Sequence, residues 1–215
     1  MWGEQDYQGF LYESNRGTGQ VKADHVLSKY IYDLTSDKEN KNIVEIGTWN
    51  GLGSTRFFIE ALLNNPEANF ITIENNFEKI NFARNYWKNF IEENKLKVEF
   101  AHGTLISNEE IDNFIKENSD SFSQQELEWI EVDKANSESV YTIPFEKIDV
   151  LLIDGGHFGN LEYDLLKDKC KYILLDDTTC SKSKSTREDL LNREDFEMIF
   201  DDTTHRNGVS IFKRK

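Results

Sequence analysis

The fold is decided by residues 42–55, which read Asn42-Ile-Val-Glu-Ile-Gly-Thr-Trp-Asn-Gly-Leu-Gly-Ser-Thr55. An apolar run interrupted only by Glu45 leads into glycines at positions 47, 51 and 53, and an apolar stretch from Phe57 to Leu62 follows. This order predicts a buried strand, a tight glycine loop and a helix, because glycine is needed where the backbone takes a positive φ or a ligand approaches it closely. Since the amino end of a helix offers free amide groups and a positive dipole end, the loop is a candidate nucleotide-type cofactor site.

Composition limits the class of protein. The 215 residues are 38% hydrophobic and 13% aromatic, which is enough for the core of one α/β domain. No apolar run reaches the roughly 18 residues that a membrane helix needs, so no membrane contact is expected. The net charge is −15 and basic residues cluster only at positions 213–215, which argues against nucleic acid as a partner. We predict a cytoplasmic protein for two reasons. The acidic N-terminal residues contain no apolar signal region, and the two cysteines form no metal or disulfide pattern.

Acidic residues follow three further predicted strands. Asn69–Glu74 ends in a carboxylate about 20 residues after the glycine loop, where it can accept hydrogen bonds from both hydroxyls of a ribose. The strand at 148–153 runs into Asp154-Gly-Gly-His157, and the strand at 172–175 runs into Asp176-Asp177. Another strand is predicted at 96–100. Asn207-Gly208 predicts a closing hairpin.

The glycine spacing distinguishes between cofactors. Glu45-x-Gly-x-x-x-Gly-x-Gly53 does not fit the Gly-x-Gly-x-x-Gly fingerprint of dinucleotide folds. It resembles the first motif of the class I S-adenosylmethionine-dependent methyltransferases. With Glu74, the sequence at 154–157 and the hairpin at 207–212 in matching order, the chain from about Val21 to Lys213 resembles that family. It is most similar to the metal-dependent small-molecule O-methyltransferases of the catechol and macrolide-sugar types.

This resemblance implies the fold and the cofactor site. It implies a single α/β domain over residues 1–215, with a Rossmann-like seven-stranded sheet in the order 3-2-1-4-5-7-6, strand 7 antiparallel and helices on both faces. It also implies S-adenosylmethionine as cofactor. The residues implied to bind it are Glu45, Gly47, Thr48, Trp49, Gly51, Gly53, Ser54, Glu74, Asn75, His102, Gly103, Thr104 and Asp154.

The same resemblance implies how the reaction is catalysed. Asp154, Asp176 and Asp177 are implied to hold Mg²⁺, which prefers oxygen ligands and keeps several waters. Asp154 and His157 are the implied catalytic residues, with His157 as the base, since its ordinary pKa of about 6.5 suits proton abstraction near neutrality. The expected acceptor is a hydroxyl of a small molecule, such as a sugar or another polyol.

Two stretches are expected to lie outside the sheet. Residues 1–20 are predicted to form an N-terminal arm, which is either a flap over the site or a loose segment. Residues 105–147 are longer than a connection between strands requires, so we expect either a lid over the acceptor or a disordered acidic loop.

Other interpretations stay open at this point. The glycine loop alone fits an ordinary turn, the aspartates fit helix N-caps, and His157 fits a residue that borders the adenine or caps a helix. A metal-independent transferase acting on nitrogen or on a protein, and a cofactor-binding or interaction protein without catalysis, are the alternative functions. A homodimer is compatible with the sequence.

Overall fold

A computed structural model describes residues 21–118, 122–136 and 139–215. The predicted N-terminal arm, residues 1–20, lies outside the described residues. None of the helices in the described ranges is long and apolar enough to cross a membrane.

Seven strands form one sheet in the order β3-β2-β1-β4-β5-β7-β6. The strands are β1 (Asn42–Ile46), β2 (Asn69–Glu74), β3 (Lys97–His102), β4 (Ile148–Ile153), β5 (Cys170–Asp176), β6 (Phe196–Asp202) and β7 (Val209–Arg214). The helices are α1 (Val26–Ser36), α2 (Ser54–Ala61), α3 (Phe77–Asn94), α4 (Asn108–Glu117), α5 (Gln124–Asn136), α6 (Gly159–Leu166) and α7 (Lys184–Asn192). A short 3₁₀ helix, Lys167–Lys169, precedes β5.

The strand directions confirm the predicted topology. β1 pairs in parallel with β2 and β4, and the parallel pairing extends to β3 and β5. β7 is antiparallel to both β5 and β6. The carboxyl ends of β1 to β5 therefore meet at one edge of the sheet, which is where open α/β sheets bind ligands.

Apolar side chains cover both faces of the sheet. On one face, strand residues such as Ile43 pack with residues of α1, α2 and α3. On the other face, strand residues such as Val44 pack with residues of α4, α5, α6 and α7. Neighbouring residues of β1 point to opposite faces, so an almost continuous apolar strand is buried on both sides, as is usual for parallel sheets.

The connection between β3 and β4 contains α4 and α5. A capping box, formed by Ser107 and Glu110, starts α4. Ile130 is 1% exposed and anchors α5 in the core on one face of the sheet. The predicted excursion at 105–147 therefore contains helical structure, and α5 is fastened to the sheet through an apolar contact.

Candidate active site

One large cavity lies at the carboxyl ends of the parallel strands. Its volume is about 990 Å³, and its walls come from the loops after β1, β2, β3, β4 and β5, from α5 and from the β6–β7 hairpin. The residues that were predicted to bind a cofactor and that line this cavity are Gly47, Thr48, Trp49, Gly53, Ser54, Glu74, Asn75, Gly103, Thr104 and Asp154. The structure therefore brings most of the predicted set together.

Two glycines of the loop after β1 serve different contacts. Gly47 has φ +101°, and a Cβ there would overlap the carbonyl oxygen of Asp154, so only glycine lets the loop approach β4. Gly51 has φ +74° and accepts a hydrogen bond of 2.7 Å from the Trp87 indole of α3. Gly51 packs against α3 and is not on the cavity wall, so its contact with a cofactor stays a prediction.

Glu45 lies behind the cavity wall. Its side chain is fully buried and accepts hydrogen bonds from Thr55 at 2.7 Å and Thr72 at 2.6 Å. Burial raises the pKa of Glu45 to about 7, although the hydroxyl donors lower it. Through these hydrogen bonds Glu45 links β1 to β2 and α2, and so it stabilises the glycine loop from behind the cavity wall. The prediction that it contacts a cofactor is not supported by this position.

Glu74 orders the loops after β1 and β2. One of its carboxylate oxygens accepts the backbone N–H of Trp49 at 2.8 Å, and the other accepts that of Asn76 at 3.0 Å. Trp49 has a positive φ of 51°, and the Lys79 ammonium lies over its ring. The carboxylate is on the cavity wall, where its remaining lone pairs can accept further hydrogen bonds.

His102 acts through its neighbour and does not line the cavity. Its Nε2 is 2.9 Å from the carbonyl oxygen of Asn75 and donates to it, because a carbonyl oxygen only accepts. Asn75 is on the cavity wall. The ring therefore holds the β2–α3 loop that carries Asn75, and a direct contact of His102 with a cofactor stays a prediction.

His157 is held in one orientation by residues that the sequence did not single out for this purpose. His157 is 6% exposed, and its ring stacks on the ring of Trp129 with 5.6 Å between centroids. Its Nδ1 is 3.1 Å from the hydroxyl oxygen of Ser181, and that hydroxyl contacts a carboxylate oxygen of Glu126. Glu126 and Trp129 lie on α5, and Ser181 lies in the β5–α7 loop.

These contacts determine the tautomer of His157. The carboxylate of Glu126 only accepts, so the single hydroxyl proton of Ser181 is donated to it. The Ser181 oxygen then accepts from Nδ1–H of His157, which leaves Nε2 without a proton in the neutral ring. Burial lowers the pKa of His157 below its ordinary value, outweighing the opposing charge of Glu126. A neutral imidazole with a free Nε2 is suited to accept a proton.

The three predicted metal ligands line the cavity, but they do not form a metal site. Asp177 uses one carboxylate oxygen to accept from Asn207 at 2.9 Å, and its other oxygen is 3.1 Å from the Lys182 ammonium. Asp176 has one oxygen at 3.4 Å from Arg206. The part of the chain that the structure describes contains no group of three or more His, Cys, Asp or Glu placed to hold a metal ion. The donor set present does not fit Mg²⁺.

Opposing charges determine how the three aspartates ionise. Burial and then the charge of Asp176 raise the pKa of Asp154 well above its ordinary value, while Lys182 lowers it. Burial also raises the pKa of Asp176, against the lowering effect of Arg206. Burial alone would raise the pKa of Asp177, but Lys182 and Asn207 outweigh it, so the pKa lies below its ordinary value. Asp177 is the one carboxylate of the three whose pKa is lowered.

Several residues of the cavity were missed at the level of sequence. Glu162 on α6 is 2% exposed, one of its oxygens is buried without a partner, and burial raises its pKa to about 8. Ser181 and Lys182 follow the Asp176-Asp177 pair within one short loop, and that proximity was a signal that could have identified them. Glu126 gave no such signal, because it reaches the cavity only through the folding of α5.

Solved structures share this architecture, although no protein-family model and no curated protein matches the sequence. An O-methyltransferase from Bacillus cereus, solved with SAH, has a TM-score of 0.62 at 16% identity over 98% of this chain and 90% of its own. A methyltransferase from Geobacter sulfurreducens has a TM-score of 0.60 at 13% identity over 98% and 87%. This chain has the methyltransferase fold.

A third structure with the methyltransferase fold matches over the full length of both chains. It is the O-methyltransferase TomG from Streptomyces achromogenes, which is involved in tomaymycin synthesis and was solved with SAM. It has a TM-score of 0.55 at 15% identity and covers 100% of each chain. In this methyltransferase fold the cavity at the carboxyl ends of β1, β2 and β4 is the place where an α/β sheet presents a ligand site.

Proposed function

We propose that this protein transfers the methyl group of S-adenosylmethionine to a hydroxyl of a small molecule. The proposal rests on the residues that line one cavity. The glycine loop and Glu74 line it together with His157, whose neutral ring is held in one orientation. The fold is shared with O-methyltransferases that were solved with SAH or SAM. A volume of about 990 Å³ is at the upper end of the usual small-molecule pockets, which favours a small acceptor.

The cavity fits the cofactor in its wall chemistry. Gly47 lets the backbone approach closely, and the carboxylate of Glu74 offers acceptors for the two hydroxyls of a ribose. Asn75 follows β2 and Gly103 follows β3, and we propose that the adenine binds beside them. Carboxyl groups on the remaining walls favour a cationic sulfonium over its neutral thioether product, because opposite charges attract more strongly away from water.

His157 is the proposed base. When bound, S-adenosylmethionine supplies an electrophilic methyl carbon, whose bond to sulfur breaks with its electron pair returning to sulfur as the carbon–oxygen bond forms. Nε2 of His157 takes the proton of the acceptor hydroxyl and later releases it to water. Ser181 and Trp129 hold the ring so that Nε2 is the basic atom. A positioned base contributes about 10²–10⁴-fold to such a step.

Metal assistance has no role in this scheme, because the aspartates do not fit Mg²⁺. Asp154 instead lies against the glycine loop, with its backbone carbonyl close to Gly47, and lines the cavity. The other predictions about the surroundings of the protein, a cytoplasmic location and a possible homodimer, remain expectations from the sequence.

Calorimetric titration with S-adenosylhomocysteine, with NADH as the control ligand, tests the proposal. We expect micromolar binding of S-adenosylhomocysteine and no heat with NADH. Binding would be followed by a screen of hydroxylated acceptors that measures the release of S-adenosylhomocysteine. Failure of S-adenosylhomocysteine to bind would reject the proposal, and binding without turnover on any acceptor would favour a protein that binds the cofactor without catalysis.

A further inference from the structure

Lys182 places a positive charge among the aspartates that line the cavity, at the end where we propose that the acceptor binds. Its ammonium is 3.1 Å from a carboxylate oxygen of Asp177, and its side chain is only 31% exposed. Lys182, Asp177 and Asp154 all line the same cavity. A lysine that gives up this much hydration needs a compensating negative charge, and the aspartates provide it.

The electrostatics agree with this geometry. Burial by itself would lower the pKa of Lys182, but the charges of Asp177 and Asp154 outweigh it and raise the pKa above its ordinary value. The nearby aspartates therefore favour the protonated form of Lys182. The neighbouring carboxylate of Asp176 faces Arg206 at 3.4 Å. The charge of each of the two aspartates after β5 is thus opposed by a side chain of the protein itself.

We propose that Lys182 supplies, from within the chain, the positive charge that a divalent metal supplies at this end of the site in the metal-dependent enzymes that the sequence resembles. This inference rests on the proposed function. The Lys182 ammonium donates a hydrogen bond to the acceptor oxygen while Nε2 of His157 takes the hydroxyl proton. A fixed donor directed at an oxygen that gains negative charge lowers the barrier, because no solvent has to reorganise around it.

Mn²⁺ binding, followed by electron paramagnetic resonance, tests whether the ammonium occupies the place of a cation. We expect the wild type to bind Mn²⁺ only weakly. Lys182→Met should bind Mn²⁺ at least about tenfold more tightly, because Asp177 and Asp154 lose their positive neighbour. The variant Lys182→Met/Asp177→Asn should lose that gain. Lys182→Arg keeps the charge and should behave like the wild type.

Lys184→Met is the matched control, because Lys184 is exposed and lies two residues from Lys182. Its replacement removes the same charge. It should leave Mn²⁺ binding unchanged. Tight stoichiometric binding of Mn²⁺ to the wild type, or no gain in Lys182→Met, would overturn the proposal. Thermal melting of each variant checks that it is folded, and Lys182→Gln replaces Lys182→Met if the latter is not.

Two further measurements separate this inference from the proposed function. S-adenosylhomocysteine should bind Lys182→Met with an affinity within about threefold of the wild type, since the lysine serves the acceptor and not the cofactor. With an acceptor from the screen, the wild type should be insensitive to EDTA, and Lys182→Met should lose about 10²-fold in kcat. If Lys182→Met binds S-adenosylhomocysteine and its kcat is unchanged, the role proposed for Lys182 is rejected and the proposed function is not.

Discussion

The rings of Trp129 and His157 lie nearly parallel, at 17° between planes and 5.6 Å between centroids. Trp129 belongs to α5, in the long connection between β3 and β4, whereas His157 follows β4. α5 therefore covers one face of the proposed base. We propose that this connection acts as a cover over the acceptor end of the cavity, as one of the two interpretations of the sequence expected.

Removing the stacked ring should raise the pKa of His157. In Trp129→Ala the imidazole regains water, and since burial is the largest cause of the lowered pKa, the value should move up toward the ordinary one of about 6.5. Trp129→Phe keeps an aromatic surface and should change the pKa less. The measurement is an NMR titration of the imidazole resonances. An unchanged pKa in Trp129→Ala would show that other neighbours bury the ring.

Ser181→Ala should change the tautomer of His157. The Ser181 oxygen accepts from Nδ1–H in the wild type, so its loss removes the preference for a free Nε2. Imidazole ¹⁵N shifts distinguish the two tautomers directly, without an acceptor substrate. Ser185→Ala, at an exposed position of α7, is the control and should leave the shifts unchanged. A pure Nδ1–H tautomer in Ser181→Ala would show that the hydrogen bonds of Ser181 to Glu126 and His157 do not determine the tautomer.

Glu74→Gln should weaken the binding of S-adenosylhomocysteine. Both carboxylate oxygens accept backbone N–H groups, and the amide NH₂ of glutamine cannot accept, so either Trp49 or Asn76 loses its partner. Together with the loss of a charged acceptor for the ribose, we expect an affinity about 10- to 100-fold lower by calorimetry. Glu78→Gln, an exposed residue of α3, serves as the control. Equal affinities in the two variants would exclude Glu74 from the cofactor site.

Glu45→Gln should stabilise the protein at high pH. The pKa of Glu45 is about 7 in the folded protein, above the ordinary 4.5, so between these values the folded state holds a proton that the unfolded state has lost. This group therefore makes stability fall as pH rises from about 4.5 to about 7 and then stay level. Glutamine does not titrate and keeps a carbonyl acceptor for Thr55 and Thr72.

The measurement is the Tm of wild type and Glu45→Gln across pH. The variant should melt about 5 °C above the wild type near pH 8 and at nearly the same temperature near pH 5. Glu39→Gln, an exposed residue in the turn before β1, controls for the loss of one negative charge. A variant that is less stable than the wild type at every pH would mean that Glu45 is ionised at no cost in the folded state.

Much of the fold was predictable because local patterns agreed with the sheet. The apolar run at 43–46, the glycines and the carboxylate of Glu74 each carry a local signal, and their order defines strand, loop and helix. The predicted boundaries differ by a few residues. The strand predicted at 96–100 is β3, Lys97–His102, and the strand predicted at 172–175 is β5, Cys170–Asp176.

The site was predictable only in part, because a residue type shows what a side chain can do and not what it faces. Glu45 has the character of a ligand contact but lies behind the wall, bonded to Thr55 and Thr72. Asp177 has the character of a metal ligand, yet Lys182 and Asn207 occupy its oxygens. Neither pairing has a signature in the local sequence.

The sequence by itself predicted the strands and the glycine, aspartate and glutamate residues that follow them, the resemblance implied the strand order that the structure confirms, and most of the residues predicted to bind a cofactor line the cavity. The strands and the residues after them follow from short-range order, since each strand delivers the residue after it to the same edge. Only the tertiary structure decided the acceptor side, where α5 brings Trp129 and Glu126 to His157, and Lys182 meets Asp177. The physical reason is that charge pairing and ring stacking between distant segments depend on packing in three dimensions, which no spacing along the chain encodes.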